Sequence, residues 1–140
     1  MPPRVVVLDT NIVLDLLVFQ DAATLPLKSA LADQTLRWLA TDPMREELTR
    51  VLAYPQIVKS LAHHALSASE VLGRFEVQAK IVSVAAKASV TCRDPDDQKF
   101  IDLAVMHQAL LLSKDKAVLC MKKRLLALSV QAQTAMEVIV

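Results

Sequence analysis

The sequence predicts an α/β fold with a mostly parallel central sheet. Helix-like and strand-like segments alternate along the chain, and residues 5–8 and 110–112 are uninterrupted apolar runs. Such runs are typical of parallel strands that are covered on both faces, and the alternating helices supply the crossover connections that parallel strands need. The length of 140 residues fits one domain, residues 1–140, rather than two.

The composition limits what can form the core and what can attract a partner. Hydrophobic residues make up 54% of the chain and aromatic residues only 4%, so we expect a core of Val, Leu, Ile, Ala and Met. The formal net charge is +1, which gives the whole molecule no strong attraction for nucleic acid. Any basic surface must therefore be local.

No segment indicates a membrane protein or a signal peptide. The most apolar stretch, residues 12–19, contains Asp15 and is far shorter than the ~20 residues that a bilayer span needs. The N-terminus lacks a long apolar segment with a small-residue cleavage site. We predict a cytoplasmic protein with no membrane partner, in which Cys92 and Cys120 are buried, reduced thiols. The three histidines show no metal-ligand spacing.

The individual elements follow from hydrophobic periodicity and from residues that begin or end helices. Asp, Asn and Ser favour helix N-caps, Pro is tolerated in the first helical turn, and the residue before Pro disfavours helix. The predicted helices cover residues 12–19, 25–39, 42–54 with Asp42 as N-cap, two segments within 56–79, 94–107, a short stretch after 115, and 134–140. A strand is expected after the second helix, but residues 39–41 are too short a segment to assign as one. The predicted strands cover residues 5–8, 110–113 and 129–133, with residues 81–84 and 90–92 as an edge strand and a connection.

The scarcity of glycine excludes several phosphate chemistries. Gly73 is the only glycine in the chain. A P-loop and a dinucleotide-binding fingerprint each need several glycines so that the backbone can approach phosphate. The sequence also lacks the Gly-x-Ser-x-Gly motif that places a nucleophilic serine.

Four acidic residues are predicted to converge at one edge of the sheet. Asp9 and Asp115 follow the two apolar strands, and the carboxyl ends of parallel strands form the ligand-binding edge. Glu47 and Asp97 lie in the first turns of helices whose N-termini point to the same edge. Converging carboxylates repel one another unless a hard cation neutralises them, so the set predicts a Mg²⁺ or Mn²⁺ site.

Each of these acids also has a purely structural interpretation. Asp9 and Asp115 are suitable helix caps, and the helix dipole favours an acid at Asp97. Glu47 has the spacing of a solvated, ion-paired helix face. Asp94 is followed by Pro95 and is predicted to be an N-cap, which leaves Asp97 for the site. The four acids together are stronger evidence for a site than any one of them.

Four motifs appear in an order and spacing that resemble the PIN-domain ribonuclease family, and most closely its branch of toxins from toxin–antitoxin systems. The resemblance covers nearly the whole chain. The motifs are Val-Val-Leu-Asp-Thr-Asn at residues 6–11, Glu47-Leu48 with Val51-Leu52, Asp94-Pro95-Asp96-Asp97 leading to Phe100 and Leu103-Ala104, and Ser113-Lys114-Asp115.

The resemblance implies a three-layer α/β/α sandwich and Mg²⁺- or Mn²⁺-dependent endonucleolytic cleavage of single-stranded RNA. It also implies a homodimer or higher homo-oligomer and a cognate antitoxin protein. By position, the implied catalytic acids are Asp9, Glu47, Asp97 and Asp115, and the implied supporting hydrogen-bonding residues are Asn11 and Ser113.

Two positions depart from the family pattern. At a third place two glutamates are adjacent, and the pattern must show which of them faces inward. Ser113 occupies a place where Thr is usual, but it keeps the hydroxyl. Lys114 occupies a place where Gly is common, and it adds a cation that contacts substrate phosphate or reaches solvent. Glu46 and Glu47 are adjacent, and the Glu-Leu-x-x-Val-Leu pattern favours Glu47 as the inward residue.

The leading hypothesis is a metal-dependent ribonuclease. Asp9, Asp97 and Asp115 would hold the metal directly or through water, and Glu47 would hold a second ion or orient the attacking water. Local basic residues would contact the RNA backbone: Arg93, Lys99, Lys114, Lys116 and residues 122–124. Residues 122–124 are explained equally well as a solvated helix end.

Two other hypotheses belong to different classes. A non-catalytic PIN-like module would bind RNA or a protein partner, with weak metal affinity and no cleavage. A phosphatase of the haloacid-dehalogenase type also begins with a strand followed by Asp. That family needs a second Asp two residues later, where this chain has Asn11.

Overall fold

The computed structural model describes residues 3–135. In this range the chain forms β1 (Arg4–Leu8), β2 (Leu36–Ala40), β3 (Ala79–Ile81), β4 (Leu110–Leu112) and β5 (Gln131–Gln133). These strands form one sheet in the order β3-β2-β1-β4-β5, and all four neighbouring pairs are parallel. The predicted α/β fold with a parallel sheet is confirmed.

Eight α-helices connect the strands in the described range, and none of them is long and apolar enough to cross a membrane. A π-helical segment, Asp15–Phe19, continues the first helix, and a 3₁₀ turn, Pro95–Asp97, precedes the sixth. The helices are α1 (Thr10–Leu14), α2 (Leu25–Ala32), α3 (Asp42–Leu52), α4 (Pro55–His63), α5 (Ala68–Gln78), α6 (Gln98–His107), α7 (Lys116–Leu119) and α8 (Lys122–Ala127).

The helices form two layers, one on each side of the sheet. From β1 the chain proceeds to β2 and β3 at one edge, and then returns to β4 and β5 at the other. Because crossovers between parallel strands are right-handed, α1 to α5 cover one face and α6 to α8 cover the other. The packing agrees, since α3 contacts α1 and α5, whereas α6 packs on β1 and β4. This is the three-layer sandwich expected from the sequence.

The core is a single apolar cluster that extends from the sheet into both helix layers. Aliphatic side chains dominate it, as the composition predicts. Its largest fully buried side chains are nevertheless aromatic: Trp38, Phe75 and Phe100. The rings of Trp38 and Phe75 meet edge to face with their centroids 5.1 Å apart. The few aromatic residues of the chain therefore fill the widest parts of the core.

The predicted helix over residues 25–39 is wrong beyond Ala32. There α2 ends, Gln34 adopts a left-handed backbone with a φ of 64°, and the chain continues as β2 beside β1. The Asp33 carboxylate accepts a hydrogen bond from the Thr35 N–H at 3.0 Å and stabilises this turn. All residues of β2 except Arg37 are buried, so the strand shows little alternation of period two and its leucines match helical spacing.

Smaller differences between prediction and structure affect the ends of helices and strands. Thr41, and not Asp42, is the N-cap of α3, so Asp42 lies in the first turn. The edge strand β3 begins two residues before the predicted segment 81–84, and residues 90–92 are not in a strand. The predicted helix over residues 134–140 lies outside the described residues except for its first two, which are not helical.

The cysteines differ in exposure, although both are free thiols as predicted. Cys92 is buried, and burial raises the pKa of its thiol. Cys120 is exposed, so the prediction of two buried thiols is wrong for this residue. Cys120 directly follows α7. Its neighbours Val118 and Met121 are buried in the core, whereas the Cys120 side chain is exposed.

Candidate active site

The site lies where the strand order reverses between β1 and β4. In open α/β sheets the crevice at such a point, beyond the carboxyl ends of the strands, is the usual ligand-binding place. The Asp9 N–H donates to the Leu112 carbonyl at 3.1 Å and extends the β1–β4 ladder by one residue. This bond brings the residue after β1 next to Ser113, the residue after β4.

A cavity of about 280 Å³ opens at this edge. All four acids predicted from the sequence line it, so the fold brings them together: Asp9, Glu47, Asp97 and Asp115. Apolar side chains form another part of the lining, and Tyr54 among them is 48% exposed. The remaining lining residues are Thr10, Asn11, Leu14, Val51, Gln56, Ile57 and Phe100.

Asp9 combines the capping and the site interpretations. It is the N-cap of α1, because its Oδ1 accepts a hydrogen bond from the Ile12 N–H at 3.0 Å. Its Oδ2 accepts a hydrogen bond from the Ser113 hydroxyl. The residue is only 3% exposed, and burial raises the pKa of its carboxyl despite these two hydrogen bonds. Asp9 is thus a buried, fixed acid in the cavity lining.

Ser113 connects two of the acids. While its hydroxyl donates to Asp9, its oxygen accepts a hydrogen bond from the Asp115 N–H at 3.0 Å. Asp115 in turn caps α7 through a hydrogen bond from the Ala117 N–H to its Oδ1 at 2.9 Å. Ser113 is fully buried, so its hydroxyl is held by these neighbours rather than by solvent. These hydrogen bonds are compatible with the supporting role that the resemblance implies for Ser113, which stays a prediction.

Asp97 is the acid whose charge the protein compensates least. It is 9% exposed, and its Oδ2 is buried with no hydrogen-bond partner among the described residues. The pKa of this carboxyl is raised to about 7, first by burial and then by the neighbouring acids Asp115, Asp94 and Asp9. An acid with an unsatisfied buried oxygen among other acids needs a proton or a cation.

Asp94, which the sequence predicts only as a cap, also belongs to this acidic group. It does cap the Pro95–Asp97 turn, because its Oδ1 accepts a hydrogen bond from the Asp96 N–H at 3.0 Å. Carboxylate oxygens of Asp94, Asp97 and Asp115 also lie within 4.8 Å of one another. The signal available in the sequence was the density of acids in Asp-Pro-Asp-Asp, but capping offered a sufficient explanation for the first one.

Glu47, and not Glu46, faces the cavity. Glu46 is exposed, whereas the Glu47 side chain is 17% exposed and lines the cavity. Its Oε2 accepts a hydrogen bond from the Thr10 hydroxyl, and its Oε1 forms an ion pair with Lys99 Nζ at 3.1 Å. Sequence patterns gave no indication of these partners, because Lys99 is 52 positions away in the chain.

The predicted RNA-contacting cations have different environments. Lys99 is paired with Glu47, and Lys114 forms an ion pair with the buried Asp15 rather than only reaching solvent. Arg93 and Lys116 are exposed, and each directly adjoins an acid of the three-residue group. Asn11 lies exposed in the cavity lining, and its side chain has no hydrogen-bond partner among residues 3–135.

The donor set fits a hard divalent cation. All the converging groups are carboxylates, which suit Mg²⁺, Mn²⁺ or Ca²⁺ and not the softer metals that prefer nitrogen or sulfur. In the described part of the chain, Asp94, Asp97 and Asp115 form no ion pair with Lys or Arg. A bound cation would satisfy the unpartnered oxygen of Asp97 and remove the repulsion among the three acids.

Comparison with known proteins supports one family. A family model described as PIN domain matches residues 5–117, which include every acid of the cavity and Asp94. No curated protein matches the chain.

Replacing Ser113 by Ala should destabilise the protein by roughly 1–3 kcal/mol, because the buried N–H of Asp115 loses its acceptor and Asp9 loses a donor. Urea denaturation measures the effect. Ser29→Ala removes the same atom from an exposed position of α2 and should change the free energy of unfolding by less than about 0.5 kcal/mol. Equal effects of the two substitutions would contradict the proposed support.

The metal-free protein should lose stability as the pH rises from 3.8 to about 7. Asp97 has a pKa of about 7 in the folded chain against 3.8 for an ordinary Asp, so the folded state binds more protons in this range. The contribution of Asp97 protonation to the free energy of unfolding is complete below pH 3.8, and it is lost as the pH rises through the folded pKa of about 7. Urea denaturation with a chelator at about pH 5 and about pH 8 should show this fall.

Asp97→Asn provides the control for this pH dependence. The fall in the free energy of unfolding should be smaller in this variant, and Mg²⁺ should restore more stability to the wild type at the higher pH, because carboxylate ligands must be deprotonated. An unchanged fall in Asp97→Asn would show that other groups cause the pH dependence.

Proposed function

Since the chain belongs to the PIN-domain family, whose members are generally metal-dependent nucleases, we propose that it is a Mg²⁺- or Mn²⁺-dependent endoribonuclease that cleaves single-stranded RNA. The observation that carries this proposal is the unpartnered, buried Oδ2 of Asp97 among other carboxylates. A purely structural acidic residue would be expected to have a hydrogen-bond donor or a basic side chain beside it.

Asp97 and Asp115 are the proposed metal-binding acids, and Asp9 completes the site directly or through water. When bound, a divalent cation would polarise the scissile phosphate and lower the pKa of water. Asp9 already has both carboxylate oxygens hydrogen-bonded, to Ile12 and Ser113, which fixes its orientation. Such fixed orientation keeps the acids in place for the reaction without a conformational change.

Glu47 is proposed to orient the attacking water and accept its proton. The Thr10 hydroxyl and the Lys99 ammonium hold its two oxygens, so its carboxylate keeps one position at the rim of the cavity. As the water oxygen forms a bond to phosphorus, its proton passes to a carboxylate oxygen of Glu47. The ester bond to the leaving oxygen breaks, and that oxygen takes a proton from a solvent water. Lys99 and Thr10 thus act as positioning residues for Glu47.

The apolar part of the cavity supports a single-stranded substrate. Val51, Ile57 and Phe100 line it together with Tyr54, which is the exposed aromatic side chain of the described range. Aromatic faces stack with unpaired bases, whereas the bases of a duplex are already stacked on each other. We propose that Tyr54 stacks with a base next to the scissile phosphate. Arg93 and Lys116, exposed beside the acidic group, would contact flanking phosphates.

The cellular role proposed is that of a toxin held inactive by an antitoxin protein. The Asp-Pro-Asp-Asp motif at residues 94–97 supports it, because the chain resembles the toxin branch of the family in this motif. Assembly into a homodimer or higher homo-oligomer remains a prediction from the same resemblance.

Asp97→Asn should reduce cleavage of an unstructured RNA oligonucleotide by at least about 100-fold, since changes to residues beyond the direct ligands already cost roughly 10–100-fold. The assay titrates Mn²⁺ against wild type, Asp9→Asn and Asp97→Asn. The metal-free Asp97→Asn protein should be at least as stable as the wild type at about pH 8, because the substitution removes a repelled charge.

Two outcomes would contradict the ribonuclease proposal. Full cleavage by Asp97→Asn would remove this residue from the mechanism, and absence of both Mn²⁺ binding and cleavage in the wild type would favour the non-catalytic alternative. In a growing culture, induction of the wild type should arrest growth while Asp97→Asn should not. Arrest by both proteins would contradict a toxin role that depends on cleavage.

Tyr54→Ala should raise the KM for single-stranded RNA by roughly 10–100-fold with little change in kcat, because stacking on an aromatic side chain contributes about 1–3 kcal/mol per base. Tyr54→Phe keeps the ring and should stay within about twofold of the wild type. Val58→Ala, at a residue of α4 that is 49% exposed and outside the cavity lining, is the matched control. An unchanged KM in Tyr54→Ala would exclude stacking at this position.

A further inference from the structure

Asp94 lies close enough to the other acids to share their cation. Its carboxylate offers an oxygen within 4.8 Å of oxygens from Asp97 and Asp115, the spacing of groups that can hold one metal ion. We propose that Asp94 is a carboxylate ligand of the divalent cation, in addition to the acids already assigned to it. The proposal rests on the proposed metal-dependent function and names a residue outside the four acids that the sequence and the family resemblance assign.

The capping role of Asp94 leaves it able to bind a cation. One oxygen, Oδ1, accepts the hydrogen bond from the Asp96 N–H that holds the turn before α6. A carboxylate has two oxygens with about four acceptor sites, so one hydrogen bond does not exhaust it. The cap also fixes the side chain beside Asp97, which follows three residues later on the same turn. The turn therefore presents two acids to one point.

An independent observation at Asp97 indicates that a ligand is missing from the structure. The Asp97 Oδ2 is buried and has no partner among the described residues, and Asp97 is one member of the three-acid group. None of these three carboxylates pairs with a basic side chain in residues 3–135, although nearby Lys99 and Lys114 pair with Glu47 and Asp15. The charges of the three-acid group are left for a cation from solution.

The other two acids of the cavity are already engaged. Asp9 has one oxygen on the Ile12 N–H and the other on the Ser113 hydroxyl. Glu47 has one oxygen on Thr10 and the other on Lys99. Among the described residues, neither carboxylate belongs to the three-acid group, whose ligand oxygens lie within 4.8 Å of one another. Asp94 is thus better placed than Glu47 to complete the inner ligand set with Asp97 and Asp115.

Binding of Mn²⁺ alone, without RNA, tests this assignment by isothermal titration calorimetry. Asp94→Asn keeps an oxygen that can accept the capping hydrogen bond but removes the charge, so Mn²⁺ affinity should fall by about 10–100-fold. The matched control is Asp96→Asn, which removes the same charge from an exposed residue two positions away and should stay within about twofold of the wild type. Asp97→Asn should lose measurable binding.

The three variants separate the possible failures. If Asp94→Asn binds Mn²⁺ like the wild type while Asp97→Asn does not, Asp94 is only a cap and this proposal is wrong, but the proposed function stands. If Asp97→Asn also binds normally, the proposed function fails as well. Equal weakening by Asp94→Asn and Asp96→Asn would indicate a general charge effect and overturn the assignment.

A change of fold must also be distinguished from loss of a ligand. Ser caps helical turns as Asn does, so Asp94→Ser should keep the metal-free melting temperature close to that of Asp94→Asn. Both variants should lose the rise in melting temperature that Mn²⁺ gives the wild type, because neither restores the carboxylate. A full Mn²⁺-induced rise in either variant would overturn the proposal.

Discussion

The parallel pairing of β1 with β4 is the constraint on which the rest of the site depends. Leu8 lies opposite Leu112 in this pair, so both strands end at the same level and the next residues must lie side by side. The strand residues behind them are buried on both faces, and a shift of register by one residue would move every side chain to the other face. The position of the acids is therefore a consequence of how the aliphatic core packs.

The acids in and near the cavity differ in the hydrogen-bond donors and basic side chains that the protein places beside them. It supplies hydrogen bonds to Asp9 and basic partners to Glu47 and Asp15, but within residues 3–135 the Asp97 Oδ2 has no partner. An isolated buried carboxylate costs free energy that a merely structural site would avoid. This difference between Asp97 and the other acids supports the proposed cation site more strongly than the number of acids does.

Much of the fold and part of the site follow from local sequence patterns. The apolar runs that form β1 and β4, and the caps at Asp9 and Asp94, depend on residues within a few positions of each other. Local patterns predict helix for the residues of β2, because a strand that is buried at all but one position shows little alternation. The pairing of Lys99 with Glu47 joins two elements that are distant in the chain, so no local pattern indicates it.

The sequence by itself determined the fold class, the aliphatic core and the four acids at the carboxyl edge, because periodicity, capping and chain order are local properties. Only the tertiary structure decided which acids are close together. It joined Asp94 to Asp97 and Asp115 and directed Glu47, rather than Glu46, toward the cavity. The physical reason is that repulsion, burial and ion pairing depend on distances across the molecule, and these are set by the packing of elements that are remote in sequence.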